Sequence, residues 1–304
     1  MQPAKFKYFF AAIVSVAMWG FFSIPLRNLI AYASEEILYY RIFTSMVLIW
    51  IAIFAFRKKE LRKDISYISS ISVADRRVIL IQIIIATILL TLNWYTFIYA
   101  VNNVSLQAAA FAYMVCPLIT AFGGFLLLKE PLSHLKLVSL SVALLSIILL
   151  ATGSLVEVAW SVVIACLYAF YLIIQRTMQH LDKLNVLAVQ ITVAVLLMLP
   201  FYFFNHAGVP SSLIFWENII VIAVFFTIIP LFLSLYSLIG IPSSTLGIII
   251  YINPIVAFAV AILYFGEHID PHKLSAYLLL LVSVVMFNWG IIKDIATFRQ
   301  SKNN

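Results

Sequence analysis

The chain has 304 residues, of which 64% are hydrophobic and only 10% are charged, and its mean hydropathy is +1.10. This composition excludes an ordinary soluble domain. The formal net charge of +7 indicates orientation in a membrane rather than binding to nucleic acid.

Apolar runs of roughly 17–25 residues, long enough to cross a bilayer as helices, occur ten times and use nearly the whole chain. The first run follows Lys5 and Lys7, as in a signal peptide, but it exceeds the ~7–15 apolar residues of such a peptide, and we interpret it as a retained helix. We therefore predict an all-α polytopic membrane protein with ten transmembrane helices. The predicted spans are about 7–25, 35–56, 78–101, 105–128, 133–152, 157–175, 184–204, 213–239, 243–265 and 273–292.

The basic residues predict which ends of the spans face the cytoplasm. With the N-terminus inside, all of the 19 Lys and Arg residues except Arg27, Arg41 and Lys273 fall on the inner side. Basic loops remain cytoplasmic during insertion. We therefore predict a multi-pass protein of the cell (inner) membrane with both termini in the cytoplasm.

The second span carries Arg41, the one charge well inside a predicted span. It lies roughly 9 Å from the outer boundary at 1.5 Å per residue. The side chain either extends back to the interface or faces a cavity and binds an anionic group such as a substrate carboxylate.

The third span contains the stretch "NWYTFIYAVNNV", which begins at Asn93. An amide inside the membrane turns toward other helices or a wet cavity, so Asn93 is predicted to line the cavity or to form an interhelix hydrogen bond. Asn102 and Asn103 fall at the outer boundary and are predicted to cap the turn.

Trp94 and Tyr99, with Trp19 of the first span, are candidates for stacking on a flat or apolar substrate. Core packing and interfacial anchoring are the alternatives for these aromatic residues.

Tyrosine and proline recur together near the middle of the fourth and ninth spans, as Tyr113 with Pro117 and Tyr251 with Pro254. Proline removes a backbone hydrogen bond and can bend a helix. We predict hinges at the two prolines and cavity-lining roles for the two tyrosines and for Asn253. The alternative is that the prolines serve helix shape alone.

An internal repeat relates "CPLITAFGGFLLLKEPLSHLKL" (116–137) to "NPIVAFAVAILYFGEHIDPHKL" (253–274). In each copy a glutamate, Glu130 or Glu267, follows the proline by thirteen residues, and the copies are offset by 137 residues. We predict that these glutamates reflect repeat geometry and lie exposed or cap the next helix.

The offset equals five spans, an odd number, so the two copies run in opposite directions through the membrane. Inverted repeats are a frequent plan of secondary transporters. The predicted units are a five-helix repeat at 1–152 and an inverted five-helix repeat at 153–304.

At these residues the chain resembles the drug/metabolite transporter (DMT) superfamily, and within it the EamA transporters of the RarD type. The similar stretches are "MWGFFSIPL", "EILYYRIFTS", "NWYTFIYAVNN", "AFAYMVCPLITAFGGFLLLKEPLS" and "TIIPLFLSLYSLIGIPSSTLGIIIYINPIVAFAVAILYFGEHID". The resemblance implies a ten-helix bundle that exports small organic metabolites through a central cavity lined by the first four helices of each half. The triose-phosphate branch of the superfamily needs several buried basic residues, whereas this chain offers only Arg41.

These observations favour a secondary exporter of amino acids or similar amphiphiles, with drugs as a further class. The sequence lacks the G-x-x-x-x-G-K-[ST] loop of ATP-driven pumps and the H-E-x-x-H or G-x-S-x-G patterns of intramembrane enzymes. A lipid or lipid-carrier translocase on the same fold is the alternative.

The expected partners are a small-molecule substrate and the lipid bilayer, without nucleic acid, cofactor or metal, and nothing in the sequence requires more than a monomer. The predicted substrate-binding residues are Trp19, Arg41, Asn93, Trp94, Tyr99, Tyr113, Tyr251 and Asn253.

Overall fold

A computed structural model describes residues 3–29, 31–103, 106–150, 155–205, 208–264, 266, 271–290 and 293. The described part of the chain is helical throughout its regular structure. Its helices are α1 (Pro3–Gly20), α2 (Ser23–Arg27), α3 (Ser34–Phe56), α4 (Lys58–Ser70), α5 (Val73–Asn103), α6 (Leu106–Leu128), α7 (His134–Leu150), α8 (Leu155–Thr177), α9 (Lys183–Asn205), α10 (Leu213–Ala223), α11 (Ile229–Ser237), α12 (Ser243–Ile249), α13 (Ile252–Leu263) and α14 (Pro271–Phe287), with a π-helical segment (Val224–Ile228) between α10 and α11.

Six helical stretches within the described ranges are long and apolar enough to cross a membrane. Shorter apolar helices cover Ala112–Leu128, His134–Leu149 and Ser243–Val256. The chain is therefore an all-helical polytopic membrane protein. The six stretches are Phe6–Arg27, Ser34–Phe56, Val73–Phe97, Ala159–Thr177, Lys183–Phe204 and Leu213–Ser237.

Large apolar side chains cover much of the outer surface of the bundle. Phe54, Leu126, Ile148 and Leu196 are each more than half exposed. Such a surface would aggregate in water but is compatible with lipid tails.

The principal helix contacts join residues before 152 to residues after it. Helix α1 packs on α11 and α13, α3 packs on α9, α5 and α6 pack on α8, α6 packs on α12, and α7 packs on α14. The largest buried cluster includes members from both parts, among them Ile42, Leu90, Tyr171 and Leu246. The core is consequently shared between the two predicted repeats.

The basic segment after the second predicted span, which we expected to be a loop, forms the helix α4. None of its residues is fully buried, although Leu61, Tyr67 and Ile68 pack against the main core. Apolar residues at helical spacing with charged residues between them explain an amphipathic helix at this position. We call the end of the bundle that carries α4, Arg57 and Lys183 the basic end.

The helix that we predicted at 243–265 is interrupted after Ile249. Pro254 has no N–H to donate and would crowd the carbonyl of Ile250, four residues earlier, and α12 ends and α13 begins at this point. By contrast, α6 continues through Pro117. The two repeat prolines therefore occupy different local structures.

Candidate functional site

The guanidinium of Arg41 lies inside the bundle against aromatic rings. Its Cζ is 4.9 Å from the centre of the Trp94 ring and 5.9 Å from that of Phe22. The Nε atom is buried and has no hydrogen-bond partner, and Arg41 has no ion pair with any residue that the structure describes. The side chain thus provides an unneutralised cation beside apolar faces.

Tyr113 of α6 approaches this cation from a third helix and interacts with it electrostatically. Its ring also packs on Phe97 of α5, at 5.4 Å between centroids. Arg41, Trp94 and Tyr113, which the sequence placed in three different spans, are therefore brought together. We call these three residues and Phe22 the Arg41 site.

Trp19 of α1 lies next to the irregular segment between α10 and α11. Its Nε1 donates a hydrogen bond to the Phe226 carbonyl at 3.0 Å, and Ser15 donates one to the Pro230 carbonyl at 2.7 Å. The π-helical turn and the following proline disturb the regular helix ladder. Pro230 has no N–H for the Phe226 carbonyl, four residues earlier, and Trp19 of α1 supplies a donor to that carbonyl. The Trp19 ring also contacts Tyr168 edge-on, at 6.1 Å.

The remaining predicted site residues lie apart from the guanidinium. Asn93 is buried, and its Nδ2 donates to the Ile164 carbonyl of α8 at 2.9 Å, which is an interhelix hydrogen bond. Tyr99 is 39% exposed and packs on Trp160 at 5.0 Å. Tyr251 is buried in a second cluster with Met114 and Ile248, and half-buried Asn253 lies in the first turn of α13, after the break.

Sequence reasoning missed Tyr168, Tyr171 and Gln175 of α8, and Gln190 of α9. All four side chains are at least 95% buried. The signal was present, because positions 168, 171 and 175 fall on one face of a helix. Aromatic residues are so frequent in this chain, at 15%, that the pattern did not stand out.

A polar network joins the two predicted repeats at the basic end. Arg57 forms an ion pair with Asp182 at 2.6 Å. Asp64 accepts a hydrogen bond from Asn185 Nδ2 at 2.6 Å and others from the Asp182 backbone N–H at 3.1 and 3.2 Å. Burial raises the pKa of the Asp64 carboxyl above its ordinary value, partly opposed by these hydrogen bonds.

Glu130 makes a second connection between the predicted repeats. Its carboxylate is buried and accepts hydrogen bonds from the Ser243 N–H and hydroxyl, both at 2.8 Å, and from the Ser244 N–H at 3.0 Å. We expected exposure or a cap on the next helix, α7. The glutamate instead caps α12, because the chain turns back after α6 and directs the carboxylate toward the second repeat. Glu267 lies outside the described residues.

The opposite end of the bundle is also joined across the two repeats. The Tyr40 hydroxyl is 3.1 Å from the Tyr202 hydroxyl and donates to the Gly208 carbonyl at 3.1 Å. Asn28 donates to Asn218 at 3.1 Å. The Arg41 site thus lies in a bundle with inter-repeat contacts at both ends. Within the described ranges, no group of three His, Cys, Asp or Glu side chains could hold a metal ion.

Comparison with known proteins gives a consistent result over nearly the whole chain. The profile of the EamA-like transporter family matches residues 6–152 and 155–289. The chain is 30% identical to the uncharacterized transporter PA0485 of Pseudomonas aeruginosa over 70% of this chain and 72% of that protein. It is 26% identical to protein RarD of Streptomyces exfoliatus, over 94% and 88% of the two chains.

Protein RarD of Escherichia coli is 24% identical over 91% of this chain and 92% of its own length. A protein of known crystal structure shares the fold, with a TM-score of 0.74, 12% identity and coverage of 93% of this chain and 97% of that one. The matches therefore cover both predicted repeats.

Proposed function

Because the chain belongs to the EamA-like transporter family of the drug/metabolite transporter superfamily, we propose that it is a secondary transporter that exports small organic metabolites by alternating access. Membership makes it a multi-pass membrane transporter, with the bilayer and a small-molecule solute as its partners. Beyond family membership, we propose the class of substrate, the export direction and the alternating-access mechanism.

The unpaired guanidinium of Arg41 carries the proposal on substrate class. A cation inside the membrane without an anionic partner is costly, and intramembrane charges tend to be functional. A carboxylate of the substrate would neutralise it, while Trp94 and Phe22, at 4.9 and 5.9 Å, would pack on an apolar part of the same molecule. This pairing fits an amino acid or a similar small amphiphile with a carboxylate.

The pattern of helix contacts supports alternating access. In the predicted ten-span repeat, each span of the first half corresponds to the span five places later. The contact of α5 with α8 then corresponds to the contact of α1 with α11. In the same way, the contact of α6 with α8 corresponds to that of α1 with α13. Two halves that can exchange their roles can open a central site to either side in turn. The contacts at the basic end and at the opposite end would then break alternately, and the basic end would face the cytoplasm.

Counterflow in proteoliposomes tests the proposal. A panel of amino acids, each paired with its amide, would be measured with wild-type protein and with Arg41→Ala and Arg41→Lys. Loss of one charge-assisted hydrogen bond predicts a roughly 10- to 100-fold lower uptake for the carboxylates in Arg41→Ala. The amides should be much less affected, and Arg41→Lys should retain part of the activity because it keeps the charge.

Arg62→Ala is the matched control, since Arg62 is an exposed arginine on α4 and its loss should leave uptake unchanged. Equal uptake by wild type and Arg41→Ala would contradict the anion-binding role. Absence of uptake for every solute would instead favour the lipid-carrier alternative, which a lipid-flipping assay on the same liposomes would then test.

A further inference from the structure

Five polar side chains form a continuous row through the apolar interior of the bundle. They belong to α8, α9 and α11, and each is at least 95% buried. We call them the polar row. Its members are Ser234, Tyr168, Tyr171, Gln175 and Gln190.

Neighbouring members of the row contact one another, but only Gln175 and Gln190 form a well-formed hydrogen bond. The Tyr168 hydroxyl interacts with Ser234, and the Tyr171 hydroxyl interacts with Gln175. Neither contact has the distance and angle of a well-formed hydrogen bond, and among the described residues the two tyrosine hydroxyls and the Ser234 Oγ have no other partner. Gln175 Nε2 donates to Gln190 Oε1 at 2.8 Å. This bond leaves Gln175 Oε1 and Gln190 Nε2 without a well-formed hydrogen bond to any described residue.

Five buried polar atoms without a well-formed hydrogen bond in one place are difficult to explain as packing. Each buried polar atom without a hydrogen bond costs roughly 1–3 kcal/mol, and the bilayer offers no solvent in compensation. Apolar side chains of similar size, such as phenylalanine for tyrosine, would avoid this cost. We therefore expect a molecule to bind at the row and to form hydrogen bonds with these atoms while the protein functions.

The position of the row indicates which occupant this is. At one end, Tyr168 contacts Trp19, and Tyr113 interacts electrostatically with both Tyr168 and Arg41. From Tyr168 to Gln175 the row descends α8 by about 10 Å, toward the end of that helix at Thr177. It thus leads from the Arg41 site toward the basic end.

We propose that the polar row is a second substrate subsite, which binds the neutral hydrogen-bonding groups of a small organic solute between the Arg41 site and the basic end. The row contains hydroxyls and amides but no charged member, so it suits hydroxyl, amide or carbonyl groups rather than an ion. Hydroxyls and amides both donate and accept, which allows successive partners to replace one another as the solute moves. This inference rests on the proposed transport function.

Cysteine labelling tests the route without knowledge of the substrate. In a protein with Cys116→Ala and Cys166→Ala, one cysteine would be introduced at Gln175 in the row or at Leu172. Leu172 is a fully buried residue of α8 outside the row. A small methanethiosulfonate reagent should modify the Gln175→Cys protein at least tenfold faster than the Leu172→Cys protein. Equally slow modification of both would overturn the proposal.

Stability and transport together provide a second test. Tyr171→Phe removes a buried hydroxyl that makes no well-formed hydrogen bond, so the melting temperature in detergent should rise by about 2–4 °C, while uptake at low substrate concentration falls severalfold. Tyr40→Phe is the matched control: its hydroxyl is paired with Tyr202 and Gly208, and its loss should lower the melting temperature. A lower melting temperature with unchanged uptake for Tyr171→Phe would show a structural role and contradict the proposal.

The two proposals fail in different ways. Fast modification at position 175 without uptake of any solute would retain the polar row as a route and reject the metabolite-transport function. Uptake that depends on Arg41 but not on Tyr171, with slow modification at 175, would retain the function and reject the row.

Discussion

At the scale of single residues, hydrogen bonding distinguishes side chains that look alike in the sequence. Arg41 and Asn93 are both polar residues within predicted spans. Asn93 Nδ2 donates a hydrogen bond to the Ile164 carbonyl of a neighbouring helix, whereas the Arg41 Nε has no partner among the described residues. The first side chain therefore stabilises the fold, whereas for the second we propose a ligand-binding role.

This distinction predicts the behaviour of Asn93 variants. Asn93→Ala removes one buried hydrogen bond and should lower the free energy of unfolding by about 1 kcal/mol. Asn93→Asp should cost more, because a carboxylate oxygen would replace the donor that now lies 2.9 Å from the Ile164 carbonyl. Thermal unfolding in detergent measures both. Alanine and aspartate variants that are both as stable as the wild type would show that the interhelix hydrogen bond is unimportant.

At the scale of elements, close approach of helices joins the two predicted repeats. Helix α12 contacts α6 at Gly247, where an added Cβ would lie 2.7 Å from Thr120 Cβ. The same two elements are connected by the Glu130 carboxylate, which caps the start of α12. Small residues permit such contacts between membrane helices.

Gly247→Ala should therefore destabilise the protein by about 1–3 kcal/mol, the range for overpacking a core, because backbone and Thr120 must move apart. Gly290→Ala is the control, since nothing lies within 4 Å of its added Cβ. Melting temperatures of the two variants in the same detergent provide the measurement. Similar values for both would mean that α6 and α12 can separate at little cost.

At the scale of the whole molecule, the network at the basic end connects stability to pH. Asp64 is surrounded by Asn185, Asp182 and Lys183, and Asp182 is itself paired with Arg57. Burial raises the pKa of Asp64 above its ordinary value of 3.8. The folded protein consequently binds a proton at Asp64 more tightly than the unfolded chain does.

The sign of this linkage predicts that Asp64 contributes most to stability at low pH. The contribution should decrease as the pH rises from about 4 through the raised pKa. Asp64→Asn removes the titration and keeps an acceptor oxygen, so its stability should change less with pH over this interval than that of the wild type. Melting curves at a series of pH values compare the two. Identical pH profiles would show that Asp64 titrates normally.

Much of the architecture followed from the sequence, because apolar runs of bilayer length predict helices without knowledge of their neighbours. The predicted spans at 35–56 and 184–204 agree closely with α3 and α9. The break before Pro254 was not predicted, because a missing N–H alone does not determine it: α6 continues through Pro117. The helical state of α4 was missed, since we interpreted its charges as a loop signal rather than as one face of an amphipathic helix.

The site was less predictable, because function depends on which side chains meet in space. The sequence alone determined that the chain crosses a membrane many times and that Arg41 is an unusual charge within a span. Only the tertiary structure placed Trp94 and Tyr113 beside that charge, paired Asn93 with α8, directed Glu130 to α12 and aligned the polar row. Hydropathy acts locally along a helix, whereas hydrogen bonds between helices depend on rotation and register, which packing of the whole bundle determines.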